Sequence, residues 1–217
     1  MTSNVARVIV LGCATALAAA TPLSAVAQQD DPGTRTIAAD VDGDGTLDRV
    51  TVRQLDDSTQ TLTFEVAGRT VEVTTEGEGF APLEQPRRVD VNSDGRDEVV
   101  LARAVGANTV TFDLWSYDPV RAKIFPVSTP DGARLDVFEG GGVNATSGYT
   151  CVDHPDTGAR DFVTVNAYRT EAGTFDGERT TYSVDGDLAR QTDRVEFTAV
   201  DEDDPVLATE PSSCGTV

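Results

Sequence analysis

Asp40-Val41-Asp42-Gly43-Asp44-Gly45-Thr46-Leu47-Asp48-Arg49-Val50 and Asp90-Val91-Asn92-Ser93-Asp94-Gly95-Arg96-Asp97-Glu98-Val99-Val100 are two versions of one pattern. Each runs an acidic, glycine-bearing turn into a β-type stretch, Val50-Thr51-Val52 in the first and Val99-Val100-Leu101 in the second. The interval between them, from position 40 to position 90, falls in the range of propeller-blade periods. Behind the first turn, Leu62, Phe64 and Val66 alternate with polar residues. Ala67-Gly68 then reverses the chain, and Val71 and Val73 alternate again. This is a hairpin pattern, because successive strand side chains face opposite sides. Behind the second turn, Val110, Phe112 and Leu114 alternate, and Tyr117-Asp118-Pro119 breaks the run before Lys123-Ile124-Phe125. A weaker third copy starts at Asp156-Thr157-Gly158-Ala159-Arg160-Asp161-Phe162-Val163 and leads to Tyr168. Thr180 to Val184, the turn Asp185-Gly186, and Val195-Glu196-Phe197 complete it. No helical 3.6-residue periodicity competes with these patterns after residue 27. The expected fold is all-β: antiparallel meanders in three units, 37–75, 86–128 and 143–200, within one domain spanning 37–217. Each unit is read as an acidic loop followed by three strands.

The loops carry the chemistry. With Asp40 as position 1, Asp42, Asp44 and Asp48 fall at 3, 5 and 9, and Gly45 at 6 permits a sharp turn. Side chains at alternating positions of a tight loop converge, and hard oxygens so arranged suit Ca²⁺, which takes 6–8 of them at 2.3–2.6 Å. The carbonyl of Thr46, at position 7, adds another. The second loop offers Asp90, Asn92 and Asp94 at 1, 3 and 5, the carbonyl of Arg96 at 7 and Glu98 at 9. Asp97 stands by as a spare carboxylate. Without a cation these groups repel one another at close range. The third copy, interrupted by His154-Pro155, is expected to bind no ion. An EF-hand needs a bidentate acid at position 12 and flanking helices. Position 12 is Thr51 or Leu101, and strands follow.

The pattern D-x-[DN]-x-D-G-x-x-[DE] before a strand resembles the FG-GAP/VCBS-type repeats of integrin-alpha-like β-propellers. It covers 40–52 and 90–102 well and 153–168 poorly. The layout is also similar to that of small exported actinobacterial proteins. The resemblance implies propeller-type blades and calcium at Asp40, Asp42, Asp44, Asp48, Asp90, Asn92, Asp94 and Glu98. A seven-bladed ring needs more chain than this one has, so the expectation is about three blades and no closed seven-bladed ring.

Residues 1–27 contain no acid and one base, Arg7, followed by an apolar run from Val8 to Ala20 and the tripeptide Ala25-Val26-Ala27. These are the three regions of an export signal with cleavage after Ala27. The apolar run is too short to span the roughly 30 Å of hydrocarbon in a bilayer. Residues 28–36 read as a flexible linker. Val10-Leu11-Gly12-Cys13 is a weak lipobox, set aside because Arg7 lies so close to Cys13. Beyond the signal two cysteines remain, Cys151 and Cys214. In an exported chain they read as one disulfide, worth at most ~4 kcal/mol and fastening the acidic tail Asp201-Glu202-Asp203-Asp204-Pro205 to the body.

The 217 residues carry a net charge of −20 and a pI near 4.2. That charge disfavours nucleic acid and anionic membranes and favours cations. Nucleophile elbows, zinc-protease helices, P-loops and dinucleotide fingerprints are absent from the sequence. His154, the one histidine, reads as a loop residue either solvated or hydrogen-bonded locally. Gly140-Gly141-Gly142 reads as a flexible hinge, and Trp115 with Tyr117 as either a core edge or a sugar-stacking platform. Together these features describe a secreted or cell-envelope, calcium-binding, non-enzymatic interaction module. It is expected to be monomeric, with an extracellular protein or glycan as partner. The alternative is a carboxylate-dependent hydrolase of envelope or extracellular polysaccharide. N-terminal sequencing of protein recovered outside the cell is expected to read Gln28 first; retention of Met1, or a lipid on Cys13, would exclude the cleaved signal.

Overall fold

The computed structural model describes residues 33–77 and 83–215. The signal segment 1–27, Cys13 and linker residues 28–32 lie outside the described residues. The described chain is all-β and antiparallel, as the alternating patterns require.

Four strands form the first sheet in sequence order: β1 (Thr34–Ala39), β2 (Asp48–Gln54), β3 (Thr59–Val66) and β4 (Arg69–Glu76). The stretch read as linker therefore ends earlier than expected. Thr34 to Thr36 already pair with Arg53, Val52 and Thr51, because β2 would otherwise leave one edge without partners. The first acidic loop consequently lies inside a hairpin, between β1 and β2, and does not merely precede a strand. Ala67 and Gly68 connect β3 to β4 with φ of 48° and 75°. Two positive φ values in a two-residue turn match the twist of the flanking strands. That turn fixes the register Phe64↔Val71 and Leu62↔Val73.

The second unit repeats this layout with β5 (Arg87–Val89), β6 (Glu98–Val105), β7 (Thr109–Asp118) and β8 (Lys123–Pro126). Here β7 is longer than its partner. β8 pairs only with Trp115 to Asp118, which leaves Thr109 to Asp113 open. β9 (Asp136–Gly140) takes that free edge, with Thr109↔Gly140 and Asp113↔Asp136. From β9 the sheet continues through β10 (Ala145–His154), β11 (Ala159–Arg169), β12 (Phe175–Asp185) and β13 (Leu188–Val200). The second and third meanders are thus one nine-stranded sheet, and the third does not stand apart as a blade.

This large sheet wraps around its own core. Val89 from β5, Phe112 from β7, Tyr149 from β10, Phe162 from β11 and Ala189 from β13 share one buried cluster. Ser128, just after β8, bridges to Leu188 at the start of β13, but no ring of strands closes. The strands β6 and β7 serve two cores at once. Val100, Ala102, Phe112 and Leu114 face the inner cluster. Val99, Leu101, Trp115 and Tyr117 face Val50, Val52, Leu62 and Phe64 of the first sheet. The period-2 alternation of a strand makes this possible, and it explains why Val99-Val100-Leu101 is apolar without a break.

Two 3₁₀ turns, Pro205–Leu207 and Pro211–Cys214, return the C-terminal segment to the body. Leu207 joins Val165, Ala167, Phe175 and Phe197 in a third cluster. Cys214 is bonded to Cys151 of β10, as expected for an exported chain. Gly140-Gly141-Gly142 is a packed corner and not a hinge. A Cβ on Gly140 would lie 2.2 Å from the Asn108 carbonyl oxygen, and one on Gly141 2.4 Å from that of Ala145. No helix among the described residues is long and apolar enough to cross a membrane.

Phe64 is wholly buried between the two sheets. Phe64→Ala is expected to cost ~3–5 kcal/mol in urea-unfolding experiments. A loss below ~1 kcal/mol would mean that the two sheets do not share a core.

Candidate metal centre

Each acidic loop is folded by its own side chains. In the first, one Asp40 carboxylate oxygen accepts from the Gly43 and Asp44 amides at 2.9 and 3.1 Å, and the other accepts from Gly45 at 2.8 Å. Asp42 accepts from the Asp44 amide at 3.2 Å, and Asp44 from Thr46 at 2.7 Å. Asp48, the first residue of β2, accepts from the Val41 amide at 3.3 Å. Gly43 and Gly45 both have positive φ, 77° and 83°. Asx turns of this kind suit Asp and Asn followed by glycine.

The second loop has the same build. Ser93 and Gly95, at the matching positions, have φ of 60° and 81°. The Gly95 amide donates to Asp90 at 3.3 Å, Asp94 to Asn92 at 3.1 Å, Arg96 to Asp94 at 2.9 Å, and Val91 to Glu98 at 3.1 Å. Every one of these bonds has its counterpart in the first loop. Ser93 is a non-glycine residue in the left-handed region, where an L side chain meets strain, so the loop geometry has overridden local preference.

The two loops differ in where their acids end up. In the first, Asp40, Asp42 and Asp48 each bring one ligand atom within 4.8 Å of the others. Asp44 lies outside that group. Among the described residues the second loop makes no such cluster of three acids. Its position 3 is an amide, Asn92, whose nitrogen donates to Asp94 at 3.1 Å. The guanidinium of Arg96 also pairs with Asp94, at 2.5 Å. Arg96 was expected to contribute only its carbonyl; its side chain supplies an internal cation as well.

Electrostatics follow from this arrangement. Burial raises the pKa of Asp48, and Asp42, Asp44 and Asp40 raise it further against the opposing Val41 amide. Burial pushes Glu98 well above the ordinary glutamate range, with Asp94 and Asp90 adding to it and the Val91 amide opposing. Asp94 goes the other way: burial raises it, but the hydrogen bonds and charge of Arg96 hold it below the ordinary range. Asp90 is 6 % exposed, and its Oδ1 is buried without a hydrogen-bond partner. Its backbone is gripped on both sides. The Asp90 amide donates to the Cys214 carbonyl at 2.9 Å, and the Asp90 carbonyl accepts from Arg160 at 2.6 Å.

Asp97, read as a spare ligand, is committed elsewhere. It is 2 % exposed, and its carboxylate accepts the Asp40 amide at 2.7 Å. Its own amide donates to the Asp40 carbonyl at 2.7 Å. The sequence offered one hint: position 8 of the first loop is Leu47, which is exposed, so the two loops are not interchangeable there. Trp115 and Tyr117 make no stacking platform. They are 1 % and 5 % exposed, with Tyr117 packed on Phe64 at a ring separation of 6.0 Å. His154 is half-exposed and bonded to Asp161 at 2.7 Å across the β10–β11 hairpin. No family model matches the chain, and neither a curated protein nor a solved structure gives a significant match.

The raised Glu98 sets a pH dependence. Folded protein holds the Glu98 proton more tightly than unfolded chain, in which glutamate titrates near ~4.3. The stability it contributes is therefore fully present below that ordinary value and is lost as pH rises through the elevated folded value. Protein in chelator is expected to weaken across this window in denaturant titrations, and Glu98→Gln to flatten the slope there. The lowered Asp94 acts below the window and in the opposite sense, so it does not mask the effect. An equal slope in wild type and variant would show that Glu98 is not held protonated by the fold.

Proposed function

We propose that this chain is a secreted, calcium-binding, non-enzymatic β module. Its ions pin the β1–β2 and β5–β6 hairpins, and its signal segment is removed after Ala27. The observation that carries the reading is the convergence of Asp40, Asp42 and Asp48 inside a loop already shaped by its own side chains. Asp44 and the Thr46 carbonyl would complete the oxygen set there. In the second loop Asp90, Asn92, Asp94, the Arg96 carbonyl and Glu98 would serve, with Asp94 exchanging its Arg96 partner for the ion. Support comes from Asp90 Oδ1, an unsatisfied buried oxygen, and from Glu98, a buried acid that a cation would relieve. The Cys151–Cys214 disulfide supports an oxidising location. The likeness of the loop residues to FG-GAP/VCBS-type repeats supports calcium over other cations, and an extracellular protein or glycan as partner.

The ion here is structural. Neither loop has a bidentate acid at position 12, so affinities on the order of 10⁻⁴–10⁻³ M are expected, as in extracellular modules. Millimolar calcium would then add about 1 kcal/mol per site. With two sites filled, the melting temperature should rise by roughly 4–8 °C over that in chelator. Asp42→Ala should remove at least half of the rise. Equal melting in calcium and chelator, with no calorimetric heat of binding, would leave the loops as acidic turns and end the proposal.

A further inference from the structure

The two loops are joined to each other, and the join runs through the residues that would hold the ions. Asp40 opens the first loop. Both its backbone groups are bound by Asp97 of the second loop, the amide by the carboxylate and the carbonyl by the amide, each at 2.7 Å. Asp97 sits between Arg96 and Glu98, the position-7 and position-9 residues of its own loop. Beside this pair, the aliphatic stem of Arg96 lies on Gly43, so close that a Cβ there would fall 2.7 Å from Arg96 Cγ. Asp97 is 2 % exposed, so these bonds are made out of water. The second loop also holds the buried Asp90, whose Oδ2 takes the Gly95 amide across the loop while Oδ1 has no partner. That unsatisfied oxygen points to an occupant in the second loop independently of its acidic composition.

We infer that the two loops bind cation as a positively coupled pair and that Asp97 is the positioning residue that carries the coupling. The inference rests on the calcium reading given above. An ion in the second loop draws the Arg96 carbonyl and the Glu98 carboxylate onto one centre. The residue between them, Asp97, is then held, and through its two bonds so is Asp40. An ion in the first loop orders Asp40 and, by the same bonds, fixes Asp97 and its neighbours. Whatever one ion spends on ordering this shared segment, the second does not spend again. The effect must be reciprocal, since coupling between two binding equilibria is a single quantity. The first loop has no equivalent tie of its own, because its position 8 is the exposed Leu47. Of the two Asp97–Asp40 bonds, the one made by the carboxylate belongs to a side chain, and that half of the join can be tested by changing it.

The experiment is calcium titration of the mature full chain by calorimetry. Asp90→Ala reports the first loop alone and Asp42→Ala the second loop alone. The overall constant of the wild type divided by the product of those two gives the coupling factor, expected at about fivefold. In the Asp97→Ala background, which keeps only the backbone bond, the same three titrations should give a factor clearly smaller than the wild type's. Asp97→Asn keeps an oxygen acceptor for the Asp40 amide and should restore the coupling. Recovery there separates a positioning role from general loss of stability. If Asp97→Ala does not fold, Asp97→Leu, which puts the first loop's position-8 residue there and also lacks the acceptor, takes its place. Two bound calcium ions with a factor of one, or below one through ion–ion repulsion, would overturn the coupling and leave the calcium reading standing. So would saturation at one ion, or a factor unchanged by Asp97→Ala. Absence of any calcium heat in the wild type would overturn the calcium reading itself.

Discussion

Two-sided burial of β6 and β7 is the constraint on which the rest of the structure depends. Their alternate side chains face opposite cores, so neither strand can be solvated on either face. A pair of strands in that position must be covered by a sheet on each side. One cover is the first meander. The other is the remainder of the large sheet, which has to curl to supply it. The free length of β7 beyond β8 gives that curl a starting edge. The acidic loops are placed by the same arrangement. Asp48 and Glu98 begin β2 and β6, and the apolar residues that follow in each strand enter the core shared by the two sheets. The loops are thus brought side by side by packing beneath them, and Asp97 can reach Asp40.

Much of this was legible in the residues. Alternation at Leu62, Phe64 and Val66, the Ala67-Gly68 turn, and the run Val99 to Leu101 gave strand and hairpin from local pattern alone; burial of that run on both faces emerged only with the two cores. Loop shape was legible too, since Asp and Asn at positions 1, 3 and 5 with glycine at 6 specify the turns that form. The cysteine pair followed from an expected export and an even number. What could not be read was everything set by partners distant in sequence. Merging of the second and third meanders depends on the unequal lengths of β7 and β8, and sequence pattern does not give those ends closely. β1 reaches back to Thr34 because β2 needs an edge partner, although Gly33 to Thr36 carries little apolar signal of its own.

The same limit applies at the site. Asp97 and Glu98 are adjacent acids, and composition does not say which turns inward to the loop and which crosses to its neighbour. Arg96 looked like a backbone ligand at its position, yet its guanidinium balances Asp94. Trp115 and Tyr117 carry polar handles that fit a binding surface as well as a core. Only the first sheet packed over them decides the matter.

The grip on Asp90 has a kinetic consequence. Its carbonyl is held by Arg160, a partner 70 positions away along the chain, and Asp40 is tied to Asp97 across 57. Closing such distances carries an entropy cost that local turns do not, and folds dominated by distant pairings assemble slowly. The Asx turns within each loop can form as soon as their own few residues meet. The juncture between the loops must wait for strands on both sides of it to arrive. Through most of assembly the carboxylates would therefore belong to two separate, solvated turns. Their final spacing is a property of the finished architecture.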